Sequence, residues 1–144
     1  MTSSEPEQRR GAEGAERTVL VVEDEAGLLR FLRATLPAAG YRVIEAGTGQ
    51  QALVEAATRS PDVILLDLGL PDMDGVEVAR RIRSDPALRA TPIVAMTAES
   101  VDDARERFGE VVVNAYLAKP VEPAALAEVV SRFLPTRRAS SPAS

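Results

Sequence analysis

Carboxylate, hydroxyl and amino side chains follow the short apolar segments of this chain. They are Glu23, Asp24, Asp67, Thr97 and Lys119. Carboxylates brought close together repel one another, so such a cluster either holds a proton or binds a cation. Oxygen ligands with room for water suit Mg²⁺ or Mn²⁺. If folding brings these side chains together, we therefore expect a divalent metal site.

A site of that kind can receive a phosphoryl group. An aspartate beside a divalent ion can attack phosphorus and form an aspartyl-phosphate, while the metal neutralises charge on the transferred group. Lys119, the single lysine beside sixteen arginines, would bind one phosphoryl oxygen, and the Thr97 hydroxyl would bind another. The chain has neither histidine nor cysteine, which excludes the commonest general base, a phosphohistidine carrier and thiolate chemistry.

Each of these residues also has a simpler interpretation when it is taken alone. Asp24 could cap a helix, and Thr97 could be a cap or turn residue. Glu23 could be a solvated acid and Lys119 a surface charge. The argument for a shared site rests on all of the segment ends carrying suitable groups together.

Five apolar segments predict β-strands that would position these residues. The third, Val63–Leu66, runs directly into Asp67, and one proline and two glycines then follow within eight residues. Such a continuous apolar run is typical of a strand that is buried on both faces. The other four predicted strands are Thr18–Val22, Tyr41–Ala46, Pro92–Met96 and Asn114–Ala118.

Helical patterns fill the intervals between the strands. Leucines at helical spacing from Leu28 to Leu36 predict the first helix, which Pro37 and Gly40 are expected to end. The second helix is predicted over Gln50–Thr58, with its cap at residue 48 or 49.

The remaining three helices have recognisable first residues. Asp74 with Glu77 forms a predicted capping box for the third helix, which the 84–86 segment should end, and Ser100 is the predicted start of the fourth. Pro123 suits the first turn of the fifth helix. The expected buried stripes are Val76, Ala79 and Ile82 in the third helix and Leu126, Val129, Val130 and Phe133 in the fifth.

Alternating strands and helices predict an α/β fold, with a parallel five-stranded sheet covered by five helices on its two faces. The carboxyl ends of parallel strands lie along one edge of the sheet, and ligands bind there. We therefore expect Asp24, Asp67, Thr97 and Lys119 to converge on one cavity.

Length and composition limit the class of protein. A chain of 144 residues is long enough for one domain, and its net charge of −5 argues against nucleic-acid binding. No apolar stretch approaches the ~20 residues that span a membrane, and no signal peptide is evident, so we expect a cytoplasmic protein without membrane contact. The expected organisation is a disordered arm over 1–17, a domain over 18–134 and a disordered tail over 135–144.

The residues at the strand ends resemble the receiver domain of two-component response regulators, and the resemblance runs from about residue 18 to residue 134. Together the matching segments are highly specific. They are Glu23-Asp24-Glu25, Leu65-Leu66-Asp67-Leu68-Gly69-Leu70-Pro71-Asp72-Met73-Asp74-Gly75, Met96-Thr97-Ala98 and Tyr116-Leu117-Ala118-Lys119-Pro120. The resemblance implies a doubly wound, flavodoxin-like sheet with the strand order 2-1-3-4-5, and it is greatest to the stand-alone type of chemotaxis regulator.

The resemblance also implies a role for each site residue. Asp67 would be the phosphoacceptor. Mg²⁺ would be bound by Asp24, Asp67 and the Gly69 carbonyl, with Glu23 helping through water. The phosphoryl group would be bound by Thr97 and Lys119. Thr97 would also act in the switch, with Tyr116 as the aromatic side chain that rotates on activation. The Lys119-Pro120 bond is expected to be cis.

A receiver of this type implies a switch rather than an enzyme, with self-phosphorylation from a phosphodonor and self-dephosphorylation at Asp67 only. The donor would be a histidine kinase or phosphotransfer protein, and a downstream protein would bind the face made by the fourth helix, fifth strand and fifth helix. Because no output domain follows residue 134, we expect a stand-alone switch in a phosphorelay. The alternatives are a receiver cut from a hybrid kinase or DNA-binding regulator, and a non-phosphorylated scaffold. An aspartyl phosphatase is disfavoured because Gly69 replaces its usual second acid.

One segment departs from the family pattern. Val112 occupies a position where glycine is typical, and Gly109 falls inside the expected fourth helix. Glycine weakens a helix, and the three consecutive valines that follow favour extended backbone. The sequence therefore predicts a fourth helix that is short or loose near Gly109.

Overall fold

A computed structural model describes residues 17–134, in which five strands alternate with five helices. The strands are β1 (Thr18–Val22), β2 (Arg42–Ala46), β3 (Val63–Asp67), β4 (Ile93–Thr97) and β5 (Ala115–Ala118). The helices are α1 (Ala26–Ala38), α2 (Gly49–Arg59), α3 (Gly75–Ser84), α4 (Val101–Phe108) and α5 (Pro123–Phe133). The predicted disorder of residues 1–16 and 135–144 lies outside the described residues.

All neighbouring strands are parallel, and their order is β2-β1-β3-β4-β5, which confirms the predicted sheet. The register pairs Val22 with Leu66 and Thr97 with Ala118, so the carboxyl ends of the strands lie side by side. Residues that follow those ends are thereby placed along one edge of the sheet.

The sheet has an apolar core on each face, because successive side chains of a strand point to opposite sides. Helices α2, α3 and α4 cover one face, where Ile64 and Ile82 are fully buried. Helices α1 and α5 cover the other, where Leu65 packs with Leu32 and Val130. The predicted stripes of α3 and α5 are buried as expected, except that Phe133 is only partly buried. No helix within residues 17–134 is long and apolar enough to cross a bilayer.

The first helix passes through the proline that was predicted to end it. Pro37 lies inside α1, which continues to Ala38. Proline forfeits one helical N–H bond, but the last turn still closes because the Ala39 N–H donates to the Thr35 and Leu36 carbonyls. Gly40, at φ +98°, then turns the chain away.

The predicted capping box of α3 forms only in part. The Asp74 carboxylate accepts a 3.0 Å hydrogen bond from the Val76 N–H and so caps the helix. Glu77 does not reach back to it, because its carboxylate pairs instead with Arg80 at 2.6 Å and Arg81 at 2.8 Å. Two guanidinium groups one turn along outcompete a single backbone N–H.

The fourth helix is short, as predicted. It begins with the Ser100 hydroxyl accepting the Asp103 N–H and ends after eight residues at Phe108. Gly109 adopts φ +57°, which a residue with a Cβ rarely tolerates. The positive φ thus lies at Gly109 rather than at Val112, which is 59% exposed.

Candidate functional site

A cavity of about 410 Å³ opens at the carboxyl edge of the sheet. Its walls come from the ends of β1, β3, β4 and β5 and from one side chain of α4. The lining residues are Glu23, Asp24, Glu25, Asp67, Leu68, Gly69, Thr97, Ala98, Glu99, Arg107 and Lys119. The structure therefore brings the four side chains predicted to converge, Asp24, Asp67, Thr97 and Lys119, into one cavity together with Glu23.

Three carboxylates form the acidic part of the cavity. Glu23, Asp24 and Asp67 each offer an oxygen within 4.8 Å of the others. Glu23 and Asp67 are buried, whereas Asp24 is exposed. Asp24 is not the cap of α1, because the neighbouring Glu25 accepts the Gly27 and Leu28 N–H groups. Asp24 is thus free of the capping role that was its simpler interpretation.

Lys119 balances part of this negative charge. Its Nζ lies 2.9 Å from Asp67 Oδ1 and 3.1 Å from Glu23 Oε1. Burial lowers the pKa of Lys119, but hydrogen bonds to Asp67 and Glu23 outweigh that effect and raise it. The ammonium therefore stays charged at neutral pH. The Lys119-Pro120 peptide is cis, as the family resemblance implied.

Glu23 is buried with its charge only partly compensated. Its Oε2 accepts the Glu25 N–H at 3.1 Å and a longer bond from Lys119, whereas its Oε1 has only the ion pair with the Lys119 ammonium at 3.1 Å and accepts no aligned hydrogen bond. Burial and the nearby charge of Asp67 raise the pKa of Glu23. A divalent cation would supply the missing positive charge, so this set of oxygen donors fits Mg²⁺.

The Thr97 hydroxyl is buried but does not contact the carboxylates. It accepts the Glu99 N–H at 3.0 Å and donates to the Glu99 carbonyl at 3.3 Å. These bonds are those of a turn residue, which was the simpler interpretation. Thr97 nevertheless lines the cavity, so its hydroxyl could reach a group bound there only by giving up its bond to Glu99.

The loop that follows β3 is packed tightly behind Asp67. The Gly69 N–H donates to Asp67 Oδ1 at 3.1 Å, which places Gly69 in the cavity wall. A Cβ on Gly75 would lie 2.8 Å from Leu68 Cα and 3.0 Å from the Asp67 carbonyl oxygen. Glycine at 75 thus allows α3 to begin directly behind the end of β3.

Tyr116 lies outside the cavity. Its partly buried ring packs edge-on against Phe108, with centroids 6.0 Å apart, and the Arg105 guanidinium lies 4.9 Å above it. Burial raises the pKa of Tyr116. The tyrosine is therefore tied to the last two turns of α4 rather than to the acids.

Sequence reasoning did not predict Arg107, a cation that lines the cavity. Arg107, in the last turn of α4, pairs with Asp74 at 2.6 Å and also with Glu99. Nothing in its spacing marked it, because a long arginine side chain reaches the cavity only through the way α4 lies across it. One of its partners carried a signal, since Glu99 comes two residues after the end of β4.

The sequence pattern of the response regulator receiver domain family matches residues 19–131. The chain is 46% identical over 102 residues to the KDP operon transcriptional regulatory protein KdpE of Escherichia coli, which covers 71% of this chain and 44% of KdpE. It is 32% identical over 118 residues to the polar-differentiation response regulator DivK of Brucella ovis, which covers 82% of this chain and 96% of DivK. The chain thus spans about half the length of the transcriptional regulators that it matches.

A solved structure shows the same arrangement of elements. The receiver domain of sensor histidine kinase PA1611 from Pseudomonas aeruginosa superposes with a TM-score of 0.76 at 36% identity, covering 83% of this chain and 98% of that one. That structure holds a magnesium ion in its active-site cleft.

Proposed function

The chain belongs to the response regulator receiver domain family, and we propose that it acts as a phosphorylatable switch in two-component signalling with Asp67 as its phosphoacceptor. The observation that carries this proposal is the environment of Asp67. Its carboxylate lies at the buried end of β3, beside Glu23 and Asp24, and 2.9 Å from the Lys119 ammonium. Residues 18–134 would form the switching unit.

Mg²⁺ is the proposed cofactor, bound by Asp24, Asp67 and the Gly69 carbonyl, with Glu23 acting through water. The three carboxylates that share the single Lys119 ammonium support a second cation in this cavity, and so does the magnesium in the PA1611 receiver. Mn²⁺ prefers similar oxygen ligands and would substitute. The ion supplies charge neutralisation for the phosphoryl group during its transfer.

The proposed transfer is a displacement at phosphorus. An Asp67 carboxylate oxygen forms the new P–O bond while the P–N bond of a phosphohistidine donor breaks, and the imidazole leaves with the bonding electron pair. Lys119 holds Asp67 in place before the reaction and binds a phosphoryl oxygen afterwards. Water later hydrolyses the aspartyl-phosphate, so the chain turns over only its own phosphoryl group.

Signalling would then start at Thr97. Its hydroxyl would leave the Glu99 carbonyl for a phosphoryl oxygen, and Tyr116 would rotate as α4 and the loop shift. The output partner would bind the face made by α4, β5 and α5, and the donor would be a histidine kinase or phosphotransfer protein in the cytoplasm. Among the relatives, DivK is matched over 96% of its length and KdpE over 44%, and the PA1611 receiver comes from a sensor histidine kinase.

Intact mass after incubation with acetyl phosphate and Mg²⁺ tests this function. We expect one phosphate adduct in the parent, none after chelation of the metal and none in Asp67→Ala. Asp85→Ala, which removes an acid from a distant turn, should form the adduct normally. An adduct that persists in Asp67→Ala would contradict the assignment.

A further inference from the structure

Arg107 connects three elements that meet at the mouth of the cavity. Arg107 lies in the last turn of α4. Its guanidinium pairs with Glu99, in the loop after β4, and with Asp74, the cap of α3. Apart from Lys119, it is the only cation among the described residues that line the cavity. One side chain therefore holds α4 to the loops that follow β3 and β4.

The contact with Glu99 links Arg107 to Thr97. The backbone of Glu99 both donates to and accepts from the Thr97 hydroxyl, while the Glu99 carboxylate is held by Arg107. A hydroxyl has one proton, so Thr97 cannot donate to a phosphoryl oxygen and to the Glu99 carbonyl at the same time. Movement of Thr97 towards a phosphoryl group would thus release the Glu99 backbone carbonyl, while Arg107 still restrains the Glu99 carboxylate.

We propose that Arg107 is a positioning residue that latches α4 against the cavity in the resting state and is released when Asp67 is phosphorylated. The inference rests on the proposed function, since it needs a phosphoryl group on Asp67. The latch opposes activation, because its two ion pairs exist only while residue 99 and α4 keep their resting positions. Removing it should therefore favour the activated state.

The latch predicts the opposite result from direct binding of the phosphoryl group by Arg107. If the guanidinium were a ligand of that group, Arg107→Ala would weaken binding of an anionic phosphoryl mimic. If Arg107 restrains the resting state, the same variant would strengthen binding, because less energy is spent in breaking the latch.

Titration with beryllofluoride and Mg²⁺, followed by amide NMR, distinguishes these outcomes. We expect Arg107→Ala to bind the mimic roughly two- to tenfold more tightly than the parent, given the modest strength of partly exposed ion pairs. Asp74→Asn, which keeps the helix cap, should also bind more tightly. The two variants change the charge of the rim in opposite directions, so a simple field effect would move the two affinities apart.

The double variant should bind no more tightly than the tighter single variant, since both changes open one latch. In the NMR spectrum of Arg107→Ala without beryllofluoride, the amide chemical shifts of Val101–Phe108 should also move. Each should move along the line that joins its shifts in the free and the beryllofluoride-bound parent. Arg33→Ala is the matched control. Arg33 does not line the cavity, and its guanidinium donates two hydrogen bonds to the Glu45 carboxylate, at 2.6 Å and 2.8 Å. This control should bind as the parent does.

The latch would be overturned if Arg107→Ala bound beryllofluoride no more tightly than the parent. It would also be overturned if the chemical shifts of the variant moved off the line between the free and bound parent. If the parent bound beryllofluoride but the variant matched it, only the latch would fail. If the parent bound none, the proposed function would fail and the latch with it.

Discussion

The regions on the two sides of the candidate cavity are held by different kinds of contact. On the side of α2 and α3, the Asp72 carboxylate accepts the Gly49 N–H at 2.7 Å and the Gln50 N–H at 3.0 Å. Close packing of Gly75 against Leu68 fixes the same loop. This side is therefore held by hydrogen bonds from the backbone and by close packing.

On the side of α4 and β5, the contacts are made by side chains that could exchange partners. Arg107 holds two carboxylates, Arg105 covers the Tyr116 ring, and the Thr97 hydroxyl turns to its own loop. Helix α4 is short and is followed by a glycine at positive φ. A phosphoryl group on Asp67 would therefore meet a side held by the backbone and a side held by exchangeable side-chain contacts, and we expect the switch to move the second.

The largest expected effect is on the movable side, in Thr97→Ala. A shift from 1:99 to 99:1 needs ~5.5 kcal/mol, and one hydrogen bond to a charged group contributes ~1.5–3 kcal/mol. The variant should accept phosphate on Asp67 yet give a much smaller NMR response in α4 and β5. An NMR response equal to the parent's would show that Thr97 does not couple phosphorylation of Asp67 to the change in α4 and β5.

On the fixed side, Gly75→Ala should destabilise the fold without altering the switch. Its Cβ would meet the Leu68 backbone at 2.8 Å, and overpacking of this kind costs about 1–3 kcal/mol. Urea unfolding measures that loss. Gly47→Ala is the control, since its Cβ would meet only the Gln51 side chain at 3.7 Å. Equal stability of the two variants would show that the wall behind Asp67 can yield.

Lys119→Arg should uncouple the switch while leaving Asp67 phosphorylatable. The compact ammonium reaches Asp67 and Glu23 together, whereas a planar guanidinium prefers bidentate pairing and would crowd the phosphoryl group. We expect a loss smaller than that of a whole charged hydrogen bond, ~1.5–3 kcal/mol. Beryllofluoride titration followed at the Tyr116 ring measures it. If the Tyr116 ring moved in Lys119→Arg as it does in the parent, a positive charge would be the only requirement at position 119.

The smallest expected effect is a pH dependence on the fixed side. Hydrogen bonds from the Gly49 and Gln50 amides lower the pKa of Asp72. A lowered pKa stabilises the fold above the unfolded value of about 4, and the effect is lost as pH falls through the folded value. Asp72→Asn should therefore melt slightly below the parent at pH 7, and the difference should shrink as the pH falls below about 4. A constant difference across that range would contradict this origin.

The predictable part of the site was the part that depends on backbone position. Strand ends in a parallel sheet must meet, so Glu23, Asp67 and Lys119 could be brought together from the sequence alone. Arg107 could not, because its reach depends on the tilt of α4 and on a flexible side chain. Local rules also failed at two helix ends. Glu77 pairs with two arginines instead of completing the cap of α3, because the guanidinium groups compete for its carboxylate. Helix α1 continues past Pro37 because its last turn still forms backbone hydrogen bonds.

Hydrogen exchange with and without beryllofluoride and Mg²⁺ tests the division of the cavity into a fixed and a movable side most directly. In the free protein, exchange should be fast from Arg105 to Val111 and slow in Gly75–Ser84. The mimic should change protection over residues 97–118 and leave residues 49–84 unchanged apart from the Asp67 loop. Changes of equal size in α3 and α4, or strong protection of Arg105 to Val111 in the free protein, would contradict this account.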